Sequence, residues 1–155
     1  MTKRITEFFS NNFLTIITEV AVGLSIGIFI IYYSQGLTLV YGDAKARLNI
    51  ARRVIDSLTP GLAQLGSVWP PFPHLLSLTT VWNDFMYYSG LSGSIVSMAS
   101  YVITIVFLSK LLLETTKDKK ATVMGILLVL LNPSFLYMQT TPMTESLFIG
   151  LLTLS

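Results

Sequence analysis

The chain has no cysteine, one histidine and little charge, with 10 Lys+Arg and 8 Asp+Glu among 155 residues. Each scarcity excludes something. Without cysteine there is no disulfide scaffold, no thiolate metal site and no cysteine nucleophile. One histidine and no cysteine is a poor ligand set for zinc. Charged residues make up 12% of the chain, against roughly 25% for a soluble domain, which is too few to coat a globule in water. A net charge of +2 from scattered Lys and Arg forms no basic stripe, so nucleic acid is not an expected partner. Disorder is excluded by a hydrophobic content of 52%. Gly-rich phosphate loops, Gly-x-Ser-x-Gly and His-Glu-x-x-His are also missing. What remains is an integral membrane protein.

The gaps between charges carry the topology. Positions 20–42, 85–109, 121–144 and 146–155 hold no charged residue. A bilayer core is crossed by about 20 mostly apolar residues as helix, because unpaired backbone amides in hydrocarbon are too costly. Spans are therefore expected at about 13–33, 91–113 and 122–138, with a fourth over 143–155. That last run reaches only about 20 Å at helical rise, short of a ~30 Å core. The expected fold class is all-α integral membrane. Three to four transmembrane helices form a single module over 1–155, with a long first loop at 34–90. The fourth run is either a helix cut short or a half-buried stub, and the chain is expected to be the amino-terminal part of something larger. The first span is longer than a signal-peptide core, contains Glu19 and lacks a clear cleavage site, so it reads as a retained anchor.

Lys and Arg near the span ends set the orientation. Lys3, Arg4, Lys110, Lys117, Lys119 and Lys120 fall on one side, which places the amino terminus in the cytoplasm. Lys45, Arg47, Arg52 and Arg53 fall in the first loop, which is long enough to cross regardless of charge. The expectation is a multi-pass protein of the cell membrane with an extracytoplasmic first loop.

That loop is too long for a plain connection. Positions 44–58 have helical periodicity, with Leu48, Ala51, Val54, Ile55 and Leu58 on one arc and Lys45, Asn49, Arg52, Arg53 and Asp56 on the other. The expectation is an amphipathic helix at the membrane interface, its apolar face on lipid or on other spans. Asp43 would cap it and Thr59-Pro60-Gly61 would close it. Arg47 falls inside the apolar arc and must snorkel or meet an anion. Three prolines within 70–73 predict an extended segment, followed by a short helix near 75–83. Trp69, Trp82, Tyr87 and Tyr88 surround it, as aromatics do at headgroup level.

Two carboxylates stand where chemistry is conceivable. Asp43 follows the first span on the outer side, either as a helix cap or as a general base or cation ligand. Glu145 is expected beyond a turn at 139–144 that emerges outside, either complementing the helix dipole after Pro142 or serving a site. His74 is by default a hydrogen-bonded loop histidine. Arg52 and Arg53 suit a phosphate, a lipid headgroup or simply a solvated face.

The order of these features resembles the GT-C class of integral-membrane glycosyltransferases. Gly42-Asp43-Ala44, the run Leu48-Asn49-Ile50-Ala51-Arg52-Arg53-Val54-Ile55-Asp56-Ser57 and Pro60-Gly61 are similar to a prokaryotic mannosyltransferase-like family. That family is related to the protein O-mannosyltransferase and ArnT-like families. Gln64-Leu65-Gly66-Ser67-Val68-Trp69, Pro73-His74-Leu75-Leu76, Asn132-Pro133, Leu136-Tyr137 and Pro142-Met143-Thr144-Glu145-Ser146-Leu147-Phe148 extend the resemblance over most of the chain. It implies transfer of a sugar from a polyprenyl-phosphate carrier to an acceptor at the outer membrane face. On this resemblance Asp43 is catalytic, activating the acceptor for inversion at the anomeric carbon. Glu145, Arg47, Arg52 and His74 are the substrate-binding candidates, with Glu145 near acceptor or cation and the arginines near the leaving phosphate. A divalent cation is the one cofactor it brings into view. GT-C enzymes have more spans, so the chain would correspond to an amino-terminal portion, inactive alone.

Two other readings stand beside the transferase. The chain is alternatively a non-catalytic subunit whose loop docks another membrane protein or the remaining part of a split enzyme. A transporter with Asp43 and Glu145 on an ion path fits less well, since its acids would sit near mid-membrane. Membrane lipid is a partner under every reading.

Overall fold

The structure is a computed structural model that describes residues 12–66 and 69–155. Among these the chain is helical, with no strand. In chain order the elements are α1 (Phe13–Ser34), α2 (Gly42–Arg53), a 3-10 turn (Leu62–Leu65), α3 (Pro71–Ser77), α4 (Asp84–Tyr88), α5 (Leu91–Thr116), α6 (Lys119–Leu130), α7 (Pro133–Met138) and α8 (Glu145–Leu154). Lys3 and Arg4, used above for orientation, lie outside the described residues, as do Ser67 and Val68.

α1 and α5 are long and apolar enough to cross a bilayer. α1 buries only Ala21 and Ser25, leaving Ile26, Ile30 and Ile31 exposed. An uncovered apolar surface of this kind suits hydrocarbon better than water. α5 is the central helix, with α1, α6 and α8 packed along it. Ala21, Tyr101, Ile105, Ile126, Leu130 and Phe135 form the core between α1, α5, α6 and α7. The Tyr101 hydroxyl, buried within that core, donates to the Leu130 carbonyl at 2.7 Å. Gly150 lets α8 approach α5 closely, since a Cβ there would lie 3.0 Å from the Ser100 carbonyl oxygen.

Five expectations are corrected by local chemistry. The run at 122–138 is two helices, because Pro133 has no N–H to continue α6. Asn132 instead turns the chain and caps α7, its Oδ1 accepting from the Phe135 amide at 3.0 Å. The proline segment at 70–73 is the start of α3 and not an extended stretch, with Pro71 opening the helix. First-turn amides have no intrahelical partner, so proline costs little there. The short helix therefore spans Pro71–Ser77 and not 75–83.

The amphipathic helix ends at Arg53, before 58. Its last turn tightens as the Ile55 and Asp56 amides both bond the Arg52 carbonyl, and Ile55 and Leu58 stay exposed. Its N-cap is Tyr41, without a side-chain bond, and Asp43 stands inside the first turn.

The apolar face of α2 rests on protein. Leu48 and Ala51 are buried with Val81, against Leu39, Leu78 and Tyr87. The Thr38 hydroxyl donates to the Ser89 carbonyl at 3.0 Å and the Ser92 hydroxyl to the Ser77 carbonyl at 3.1 Å. The first loop is thereby a folded cap on the amino-terminal end of α5.

Candidate functional site

The turn between α7 and α8 builds the floor of the site. Gln139, Thr140 and Thr141 are fully buried. Non-helical backbone at such depth needs its carbonyls met, since an unpaired one is costly. α5 meets them. The Ser94 hydroxyl donates to the Thr140 carbonyl at 2.7 Å, and that of Ser97 to the Thr141 and Met143 carbonyls at 2.7 and 3.0 Å. From α1, the Ser25 hydroxyl donates to Gln139 Oε1 at 2.7 Å. The buried hydroxyls at Ser94, Ser97, Ser100 and Thr104 recur at helical spacing. That stripe was visible in the sequence as a signal for a buried polar partner, and apolar counting passed over it.

α2 meets this floor at Gly93. A Cβ on Gly93 would lie 2.5 Å from Pro142 Cβ and 3.3 Å from Leu48 Cδ2. α2, α5 and the start of α8 thus converge at one end of the bundle. Asp43 and Glu145 are carried to that same end, one on each of the two converging helices.

They do not share a cleft. Asp43 is exposed on the first turn of α2, one turn before Arg47 on the same strip of helix. Glu145 is exposed at the start of α8. It lines a separate trough of about 410 Å³ together with Leu128, Val129, Phe135, Met138 and Ile149.

Arg47 and His74 are brought together. Both line a small cavity of about 20 Å³ walled also by Ser77, Gly93, Pro142 and Thr144. The Arg47 guanidinium lies 4.5 Å from the ring centre of Trp69, and that indole stacks on His74 at 6.4 Å and 18°. Arg47 therefore resolves its place in the apolar arc by lying on an aromatic face. Among the described residues its Nε and Nη1 are nonetheless buried without a hydrogen-bond partner, as is His74 Nε2. His74 is 1% exposed. Unpaired groups this deep are costly and call for a ligand or ordered solvent.

Burial, first, and the neighbouring Arg47 charge push the His74 pKa below its ordinary value, partly opposed by a hydrogen bond to the Arg47 backbone. His74 Nε2 faces the small cavity without a hydrogen-bond partner among the described residues.

Arg52 is placed elsewhere and fully engaged. Its guanidinium donates to the Val81 and Trp82 carbonyls at 2.9 and 3.0 Å, to Asp84 at 2.6 Å and to Asp56 at 3.3 Å. Asp84 chiefly raises its pKa. It holds α2 to the 81–84 turn, while Arg53 is exposed. Trp69, read above only as an interfacial aromatic, is the residue that joins Arg47 to His74.

Among the described residues no three His, Asp or Glu side chains converge on a point that would hold a metal ion. Comparison of the chain with family models, with curated proteins and with solved structures returns no match.

Proposed function

We propose that the chain is the amino-terminal part of a membrane glycosyltransferase of the GT-C kind, using a polyprenyl-phosphate-linked sugar at the extracytoplasmic face. In this reading α1, α5, the broken α6–α7 pair and α8 lie in the bilayer, and the cap over 35–90 stands outside. The observation that supports it is the meeting of α2, α5 and the 142–147 stretch at Gly93, which brings Asp43, Arg47, His74 and Glu145 to one end of the bundle.

The chemistry follows from what each group offers. Asp43, exposed on a helix that is clamped to the bundle, takes the proton of the acceptor as its oxygen or nitrogen attacks the anomeric carbon. The sugar–phosphate bond breaks with its electron pair on the polyprenyl phosphate, and the anomeric centre inverts. Glu145 stands at the rim of an apolar trough and places a carboxylate beside lipid-soluble substrate. Arg52, with four acceptors, shapes the loop and does not reach for phosphate. The trough that Glu145 lines does not include Asp43, so no step is routed through a divalent cation.

The second reading is a non-catalytic subunit whose first loop docks another membrane protein. The separating experiment supplies membranes carrying the natural protein with a polyprenyl-phosphate mannose and an acceptor extract. Release of polyprenyl phosphate with sugar on acceptor supports the transferase. Its absence, with a second membrane protein retained through the first loop, supports the subunit.

A further inference from the structure

The geometry points to the Arg47–His74 cavity as a site for one uncharged hydroxyl oxygen, from water or an alcohol, and not for a phosphate. Size comes first. At about 20 Å³ the space takes a single oxygen, since one water needs roughly 10–15 Å³ on this scale. A phosphate group is several times larger.

Hydrogen-bond polarity comes second and is the sharper criterion. Arg47 Nε and Nη1 can only donate, and they are buried without an acceptor. His74 Nε2 is buried beside them without a partner among the described residues, and next to N–H groups that only donate, the site as proposed gives it the accepting role, with the ring proton on Nδ1. The ligand must therefore accept from Arg47 and donate to His74 at once. A hydroxyl does both. A phosphodiester offers acceptors alone, and would set anionic oxygens against the His74 lone pair. Arg47 is the charged group on the cavity wall; the other lining side chains, from α3, α5 and the 142–147 stretch, carry no charge. Among the described residues no carboxylate lines the cavity.

The occupant has a structural consequence. An oxygen held between Arg47 on α2 and His74 on α3 joins the two helices beneath Trp69, which already stacks on both side chains. His74 is then a positioning residue for Arg47. The arrangement reverses the family-based expectation for Arg47, moving it from the leaving phosphate to a hydroxyl. It deepens the proposed function at the same end of the bundle. Its readout is the His74 ring and not sugar transfer, so the two proposals fail separately.

The test uses the full natural protein in lipid nanodiscs, labelled with ¹⁵N-histidine, with His74→Gln assigning the His74 resonances. At pH 7.5 the expected ring is neutral, protonated on Nδ1, with Nε2 at the shift of a hydrogen-bonded acceptor. Inorganic phosphate in large excess leaves both resonances in place. Methyl α-mannoside moves Nε2 where the oxygen exchanges with an alcohol and leaves it unmoved where it is bound water; both outcomes keep the hydroxyl site. A proton on Nε2, an unbonded Nε2 shift, or phosphate converting His74 to the imidazolium would overturn it.

Discussion

Gly93 and Pro142 meet so closely that a Cβ on the glycine would sit 2.5 Å from the proline Cβ, with Leu48 Cδ2 at 3.3 Å on the same side. This is the point where the first loop, the central helix and the start of α8 touch. Gly93→Ala is expected to force them apart at about 1–3 kcal/mol, read as a lower thermal midpoint in detergent. Gly23→Ala, on α1 with nothing within 4 Å of the added Cβ, is the matched control and does not lower the midpoint, since alanine favours helix over glycine.

Ser97 shares its one hydroxyl proton between two carbonyls, the buried one of Thr141 and the part-buried one of Met143. Ser97→Val fills similar space without a donor and strands both. The expected loss is about 1–3 kcal/mol, while Ser97→Thr, which keeps the hydroxyl, loses less. Equal midpoints for Ser97→Val and the parent would remove the polar stripe from the account.

Much of this architecture was legible. The apolar arc of α2 named Leu48 and Ala51, and both are core. The charge-free runs located α1 and α5. The site was harder to see, because its contacts cross long sequence distances: Ser25 to Gln139, Ser97 to Thr141, Arg47 to His74. Prolines misled in both directions. Pro71 and Pro73 looked like breakers but occupy a first turn, where their missing amides are harmless. Pro133 sat inside an apolar run and ended a helix that composition had carried through. Arg52 suited a phosphate, a headgroup or a solvated face by type, while its acceptors are two backbone carbonyls and two nearby carboxylates.

The Arg52 clamp divides unequally. Asp56 and Asp84 are each about 70% exposed at the side chain, so Asp56→Asn is expected to change stability by about 0–1 kcal/mol. Arg52→Ala removes the donors to the Val81 and Trp82 carbonyls as well. It should speed limited proteolysis of the first loop several-fold, with Arg52→Lys intermediate because an ammonium lacks the planar fork. Identical digestion of Arg52→Ala and the parent would contradict the clamp.

His74 gives the cap a pH dependence of definite sign. Its folded-state pKa lies below the ordinary 6.5, so the unfolded ring protonates first as pH falls. The contribution of neutral His74 is intact above about 6.5 and is lost as pH drops from there through the lower folded value. Thermal midpoints between pH 7.5 and 5.5 should fall more steeply for the parent than for His74→Gln. Parallel slopes would contradict a buried neutral imidazole.

Sidedness can be read without background from the chain, which has no cysteine. Tyr88→Cys, exposed on the cap, and Lys117→Cys, in the turn after α5, lie at opposite ends of α5. An impermeant maleimide added to intact cells is expected to label the first and spare the second until the membrane is opened. Labelling of both in sealed cells would place the cap and the α5–α6 turn on one side.

The most direct test is transfer by Asp43→Asn in the natural protein. The substitution keeps size and removes the proton acceptor on an exposed position of α2, so membrane insertion and the cap should persist. Sugar transfer from the polyprenyl-phosphate donor is predicted to drop by about 10²–10⁴-fold, the usual worth of a positioned base. Transfer at the parent rate by a correctly inserted Asp43→Asn protein would contradict the account.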